Sequence, residues 1–189
     1  MTRDVKAIWK GASSEIDKAR LLASKAPHSS NWLYALPITA CGLCLSDEAI
    51  RVAVGLRLGL NICEPHPCPC GAMVTSRGTH GLSCKRSSGR STCHQQINDT
   101  ILMVLKRANV PSTKEPAGLL RGDAKHSNGL TLVPWRSGSS LMWDVTVADT
   151  LASSYTPTTS VTSCGAAETA ATWKRAKYAE IIQSHIFIP

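Results

Sequence analysis

Apolar residues along this chain recur with two periods, and the change of period marks its main divisions. Ala12, Ile16, Ala19, Leu22 and Ala23 fall at helical spacing, and Pro27 stops the run, which predicts a helix over 12–26. Ser46 and Asp47 read as a helix start, and Ile50, Val54, Leu56 and Leu58 carry that helix to Gly59. Trp32, Leu33, Leu36 and Pro37 make a short apolar connection between the two. A third helix is predicted from His94 to Ala108, with Ile97, Ile101, Leu105 and Ala108 as its apolar stripe. The pattern then turns β-like, with Glu115-Pro116, a turn around Gly129, a segment from Leu130 to Trp135 and a turn at Ser137-Gly138. Leu141 to Val147 is the clearest strand, and Asp144 lies inside it. The Ser/Thr-rich stretch 150–164 reads as a loop, and a last helix is predicted from about Ala166 to His185. The fold class is therefore α/β.

Between the second and third helices the pattern fails, because residues 63–90 are rich in Cys, His, Gly and Pro. Cys68, Cys70, His80 and Cys84 read C-x-C-x9-H-x3-C. Three soft sulfurs and one imidazole suit a tetrahedral zinc site, and Gly71, Gly78 and Gly81 give the backbone freedom to wrap an ion. Cys63 or His66 can replace Cys68 or Cys70 in that set. Cys41 and Cys44 form a CxxC without a partner pair and read as packed thiols.

Composition adds a polyanion partner. The 189 residues carry a net charge of +8. The surplus is concentrated in 63–128, with 9 basic and 4 acidic residues, against 4 and 4 in 129–189. Lys85, Arg86 and Arg90 follow the cysteine cluster directly, where a phosphate-binding surface is expected. No apolar run approaches the roughly 18 residues of a membrane span, and the N-terminus lacks an apolar signal core. Clustered Cys and His suit a reducing compartment with bound metal better than disulfides.

An acidic residue inside an apolar strand is costly unless a metal ion or a basic partner compensates it, and the alternative is an aspartate on a polar face. Lys174 and Lys177, one turn apart on the last helix, share a face.

The order of these features carries a resemblance. A Cys/His knuckle, then GR-x3-H-x3-N (Arg90, His94, Asn98), then Glu115-Pro116, then WDVT around Asp144, then K-x2-KY from Lys174 resembles the C-terminal part of non-LTR retrotransposon proteins. In that family a reverse transcriptase is followed by a zinc knuckle and a restriction-like endonuclease. The resemblance covers about residues 30–189. It implies a restriction-endonuclease-like mixed sheet flanked by helices, preceded by a small helical segment and a zinc knuckle. The division expected is a helical linker region over 1–62, a knuckle over 63–90 and a nuclease core over 91–189, truncated at its C-terminus, with the polymerase absent.

The chemistry implied is Mg2+-dependent nicking of DNA in the nucleus, with Zn2+ as a structural ion and RNA as a second possible partner. The second family carboxylate matches Asp144, and the lysine matches Lys174 or Lys177. Glu115 stands as an additional acidic ligand, and His94 and Asn98 join Lys85, Arg86 and Arg90 as nucleic-acid contacts. The first family carboxylate, from a Pro-Asp pair, falls at Ser127-Asn128, where Asn128 is neutral. Asp123 is the nearest acidic residue that can compensate. That departure leaves three expectations: a nuclease weakened at Asn128, a zinc-dependent nucleic-acid-binding module without catalysis, or a non-functional element remnant.

Overall fold

The computed structural model describes residues 12, 14–41, 44–116 and 127–189. Asp123 and the Cys41–Cys44 pair as a unit lie outside what is described. In chain order the regular elements are α1 Glu15–Lys25, α2 Asp47–Leu58, β1 His66–Pro67, β2 Met73–Val74, α3 His80–Ser83, α4 Gly89–Arg107, β3 Ser112–Lys114, β4 Gly129–Thr131, β5 Leu141–Trp143, α5 Thr156–Thr159, α6 Gly165–Lys177 and β6 Ile186–Ile188. Short 3-10 turns occur at Asn31–Tyr34, Thr39–Cys41 and Ile181–Gln183. No helix of the described residues is long and apolar enough to cross a membrane.

The chain divides into two units, one of residues 1–87 with 149–166 and one of 88–148 with 167–189. In the first, Ser14 and Ser46 cap α1 and α2 by accepting from the N–H of Asp17 and Ala49. Gly59 closes α2 at φ 73°, in the left-handed region. Arg57 ties the helices together, its guanidinium donating to the carbonyls of Ser24 and Ser29 at 2.7 and 2.9 Å. Arg20 donates back to the carbonyl of Arg57 at 2.8 Å. α5 packs on α1, and Ser163 donates to the carbonyl of Leu22.

The stretch 150–164 is thus more than the expected loop. Thr156 and Thr159 are buried because their hydroxyls donate to the carbonyls of Ala152 and Thr150.

The second unit is a four-stranded mixed sheet in the order β3-β4-β5-β6, with helices α4 and α6. β3, β4 and β5 run antiparallel, and β6 is parallel to β5. Met142, Tyr178 and Ile181 form its buried core, with Leu130 and Phe187 packed against them.

Four sequence expectations are corrected here. Gly129, expected in a turn, opens β4. β5 ends at Trp143, so Asp144 lies just past the strand rather than inside it, although its N–H still donates to Ile188 O at 3.1 Å. The last helix stops at Lys177 and the chain returns as β6, paired from Leu141↔Ile186 to Trp143↔Ile188. The buried stripe of α4 is also rotated: Asn98 and Leu105 are buried, and Ile97 is 44 % exposed.

Candidate metal centre and strand-end cluster

β1 and β2 form a hairpin with His66 opposite Val74. Its turn is closed by Cys68 N–H to Ala72 O and Gly71 N–H to Cys68 O, both 2.8 Å. Gly71 sits at φ 93°, a conformation that a side chain resists. This turn brings Cys68 and Cys70 round to α3, where His80 and Cys84 stand one helical turn apart, with Cys84 N–H on His80 O at 2.9 Å.

The ligand atoms of Cys68, Cys70, His80 and Cys84 all lie within 4.8 Å of one another. Cys68 Sγ is 3.7 Å from Cys84 Sγ, and Cys70 Sγ is 3.2 Å from His80 Nε2. A Zn–S bond of about 2.3 Å puts tetrahedral sulfurs about 3.8 Å apart, so the donor set and spacing fit such an ion. Cys63 and His66 are not part of this group: Cys63 Sγ points to the carbonyls of Thr75 and Ser76, and His66 Nδ1 lies 2.8 Å from Glu64 O.

One thiol is prepared for this role. Cys70 is pulled down to about 6, chiefly by the backbone N–H of Ala72 and then by the neighbouring sulfurs and His80. It is therefore a thiolate at neutral pH, the form that binds metal. Cys68 moves the other way: the Cys70 N–H pulls it down, but burial and the Cys70 and Cys84 thiols outweigh that. Arg86 N–H donates to Cys84 Sγ at 3.4 Å. The side chains of Lys85, Arg86 and Arg90 are exposed.

In the second unit the sheet register places the other candidate residues. Lys114 pairs with Gly129, and Gly129 with Trp143. Glu115 follows β3, Asn128 precedes β4 and Asp144 follows β5, so the antiparallel order brings the three positions to the same end of the sheet. Glu115 N–H donates to Asn128 O at 3.1 Å. Glu115 is exposed and has φ 44°, a strained value for a side-chain-bearing residue.

Asp144, 7 % exposed at its side chain, is the focus of that end of the sheet. Lys174 Nζ lies 2.7 Å from Oδ1, and Lys177 Nζ lies 3.8 Å from Oδ2. Tyr178 donates its hydroxyl to Oδ2 at 2.9 Å and accepts from Lys177 Nζ at 2.7 Å. Lys174 also donates to the main-chain carbonyls of Asp144 and Val145, at 2.8 and 2.9 Å. Burial pulls the Lys174 ammonium below its ordinary value; the Asp144 carboxylate opposes this and the charge of Lys177 adds to it.

From α4, His94 Nε2 lies 3.1 Å from Asn128 Oδ1. Asn98 is buried and accepts from Trp143 Nε1 at 2.8 Å, so its side-chain oxygen is committed inside the unit.

The structure thus brings Asp144, Lys174 and Lys177 together and joins His94 to Asn128. Sequence reasoning missed two participants. Tyr178 stood as the last letter of the K-x2-KY motif, with no role assigned to it, although its place next to Lys177 was the available signal. The carbonyls of Asp144 and Val145 leave no sequence signal at all. Comparison of the chain with protein-family models, with curated proteins and with solved structures found no match in any of the three.

Proposed function

We propose that the second unit is a metal-dependent DNA-nicking endonuclease core of restriction-like type and retrotransposon origin, carried in one chain with a zinc knuckle that binds nucleic acid. The observation that carries this reading is the convergence of Lys174 and Lys177 on Asp144, at the same end of the sheet as Asn128. A carboxylate at a strand end, with lysines delivered by a following helix, suits phosphodiester hydrolysis. Asp144, with neighbouring oxygens, would hold a Mg2+, which would supply Lewis acidity and an activated water there. One lysine of the pair neutralises charge gathering on the phosphate. Trp143 and Asn98 fix the strand end against α4. The Cys3His group holds a structural Zn2+, and the exposed Lys85 and Arg86 after it meet phosphates. DNA is the partner, RNA a second one, and the nucleus the compartment.

A second reading, a nucleic-acid-binding module without cleavage, is favoured by one observation. The residue before β4, at the same end of the sheet as Asp144, is the neutral Asn128, a far weaker Mg2+ ligand than a carboxylate, and its side-chain oxygen lies 3.1 Å from His94 Nε2.

Nicking of supercoiled plasmid in Mg2+, by the chain, by Asn128→Asp and by Asp144→Ala, separates the two. The endonuclease reading expects Asn128→Asp to nick faster than the chain and Asp144→Ala to be inert. Salt-sensitive DNA binding with no nicking by the chain or by Asn128→Asp would leave the binding module as the function.

A further inference from the structure

We infer that Lys174 and Lys177 have different roles: Lys174 is the resident cation of an oxygen cage that a divalent metal takes over, and Lys177 is the lysine left to face the phosphate. This deepens the endonuclease reading and rests on it for the role of Lys177.

The cage is defined by what holds Lys174. Its ammonium has three protons, and three oxygens receive them: Asp144 Oδ1 at 2.7 Å, Asp144 O at 2.8 Å and Val145 O at 2.9 Å. One carboxylate oxygen and two carbonyls, with no nitrogen or sulfur, are the donor set of a hard divalent cation such as Mg2+ or Mn2+. Lys174 thus stands in for such an ion. A lysine is suited to that place, being a compact charge on a flexible stem that can withdraw without moving the helix. While it stays, its donors are spent and it has none to offer a substrate.

Lys177 differs on each count. Its side chain is 31 % exposed against 19 % for Lys174. Its ammonium rests on Tyr178 Oη at 2.7 Å and over that ring, 4.4 Å from the centroid. It stands 3.8 Å from Asp144 Oδ2, outside hydrogen-bond distance. Tyr178 is 1 % exposed, so it is a fixed mount. Tyr178 is a positioning residue: it bridges Lys177 to Asp144 and holds the ammonium at the rim.

The test measures metal affinity, not cleavage. The chain is first saturated with one equivalent of Zn2+, so that added Mn2+ reports on the oxygen site. Mn2+ is titrated into the chain, Lys174→Met, Lys177→Met and Asp144→Asn, following loss of the free-Mn2+ electron paramagnetic resonance signal. Lys174→Met is expected to bind Mn2+ about tenfold or more tightly than the unmodified chain, since a buried competing charge is gone. Lys177→Met shifts affinity less, and Asp144→Asn loses binding. Equal or weaker binding by Lys174→Met, or an equal gain in Lys177→Met, would overturn the assignment.

A second measurement needs no variant. Acetylation of lysine side chains, read by mass spectrometry, should rise at Lys174 when Mn2+ is added. Labelling of Lys174 that stays level or falls with Mn2+ rejects the cage. Tighter Mn2+ binding by Lys174→Met with no nicking by any protein would keep this inference and reject the endonuclease. Nicking without the affinity change would do the reverse.

Discussion

The indole N–H of Trp143 donates to the side-chain oxygen of Asn98, 2.8 Å away, and both residues are buried. This bond joins α4 to the end of β5, directly before Asp144. Removing it leaves a buried donor without a partner. Asn98→Ala is expected to cost about 1–3 kcal/mol in urea unfolding. Asn98→Leu should cost a similar amount, because an apolar side chain does not satisfy the indole.

Gly129 makes the other side of the same arrangement. A Cβ there would overlap the six-membered ring of Trp143, its cross-strand neighbour. Gly129→Ala is expected to destabilise the chain by about 1–3 kcal/mol or more through overpacking, and to shift the Trp143 fluorescence. A neutral result would show that the ring is free to move aside.

The Cys/His cluster predicts about one zinc per chain. Cys84→Ser should lose both the metal and the thermal transition of the first unit, because ligand binding and folding are coupled in small metal modules. Cys93→Ser and Cys164→Ser should keep both, since these exposed thiols lie outside the cluster. Substitution by Co2+, read by absorption, should give a tetrahedral thiolate spectrum that Cys84→Ser abolishes. A fully folded chain without metal would remove the zinc assignment.

Asp17 gives the first unit a pH dependence of known sign. Burial pushes its carboxyl up, but hydrogen bonds from Arg77, Ser14 and Arg20, with the charge of Arg77, outweigh this and hold it below its ordinary value. The contacts are 2.8 Å to Arg77 and 3.3 Å to Arg20. A carboxylate lowered on folding contributes stability that is fully present above its unfolded value of about 4 and is lost as pH falls through the lower folded value. Asp17→Asn should therefore be less stable than the unmodified chain at pH 7. The gap should close on acidification below about pH 4. A gap that widens there would reverse the assignment.

What could be read from the sequence was what is local. Ser14 and Ser46 announced α1 and α2 because a cap acts within three residues. The ligand set from Cys68 to Cys84 was visible for the same reason. The strands were not. β3 to β6 are three residues each, too short to show an alternation, and the order that brings Asn128 and Asp144 to the same end of the sheet is a property of pairing. No strand was expected at Ile186–Ile188, because nothing nearby names β5 as their partner. Ile97 was expected on the inner face of α4 because apolar residues usually are. Asn98 takes that place because Trp143, 45 positions on, brings a donor to it. The pairing of Asp144 with Lys174 and Lys177 came from a resemblance, and the distances now supply its physical content.

The order in which the chain visits its two units has a consequence for how the protein is made. Residues 149–166 return to the first unit after β5 and before α6. No single cut in the chain therefore yields two whole units: a cut after residue 87 strips α5 from α1, and a later one leaves the sheet without α6 and β6. During synthesis Asp144 emerges well before the lysines that neutralise it. Until Lys174 and Lys177 are added, its carboxylate has no cation to justify burial. The two units are thus completed almost together, and a nascent chain stopped short of α6 carries an unfinished sheet.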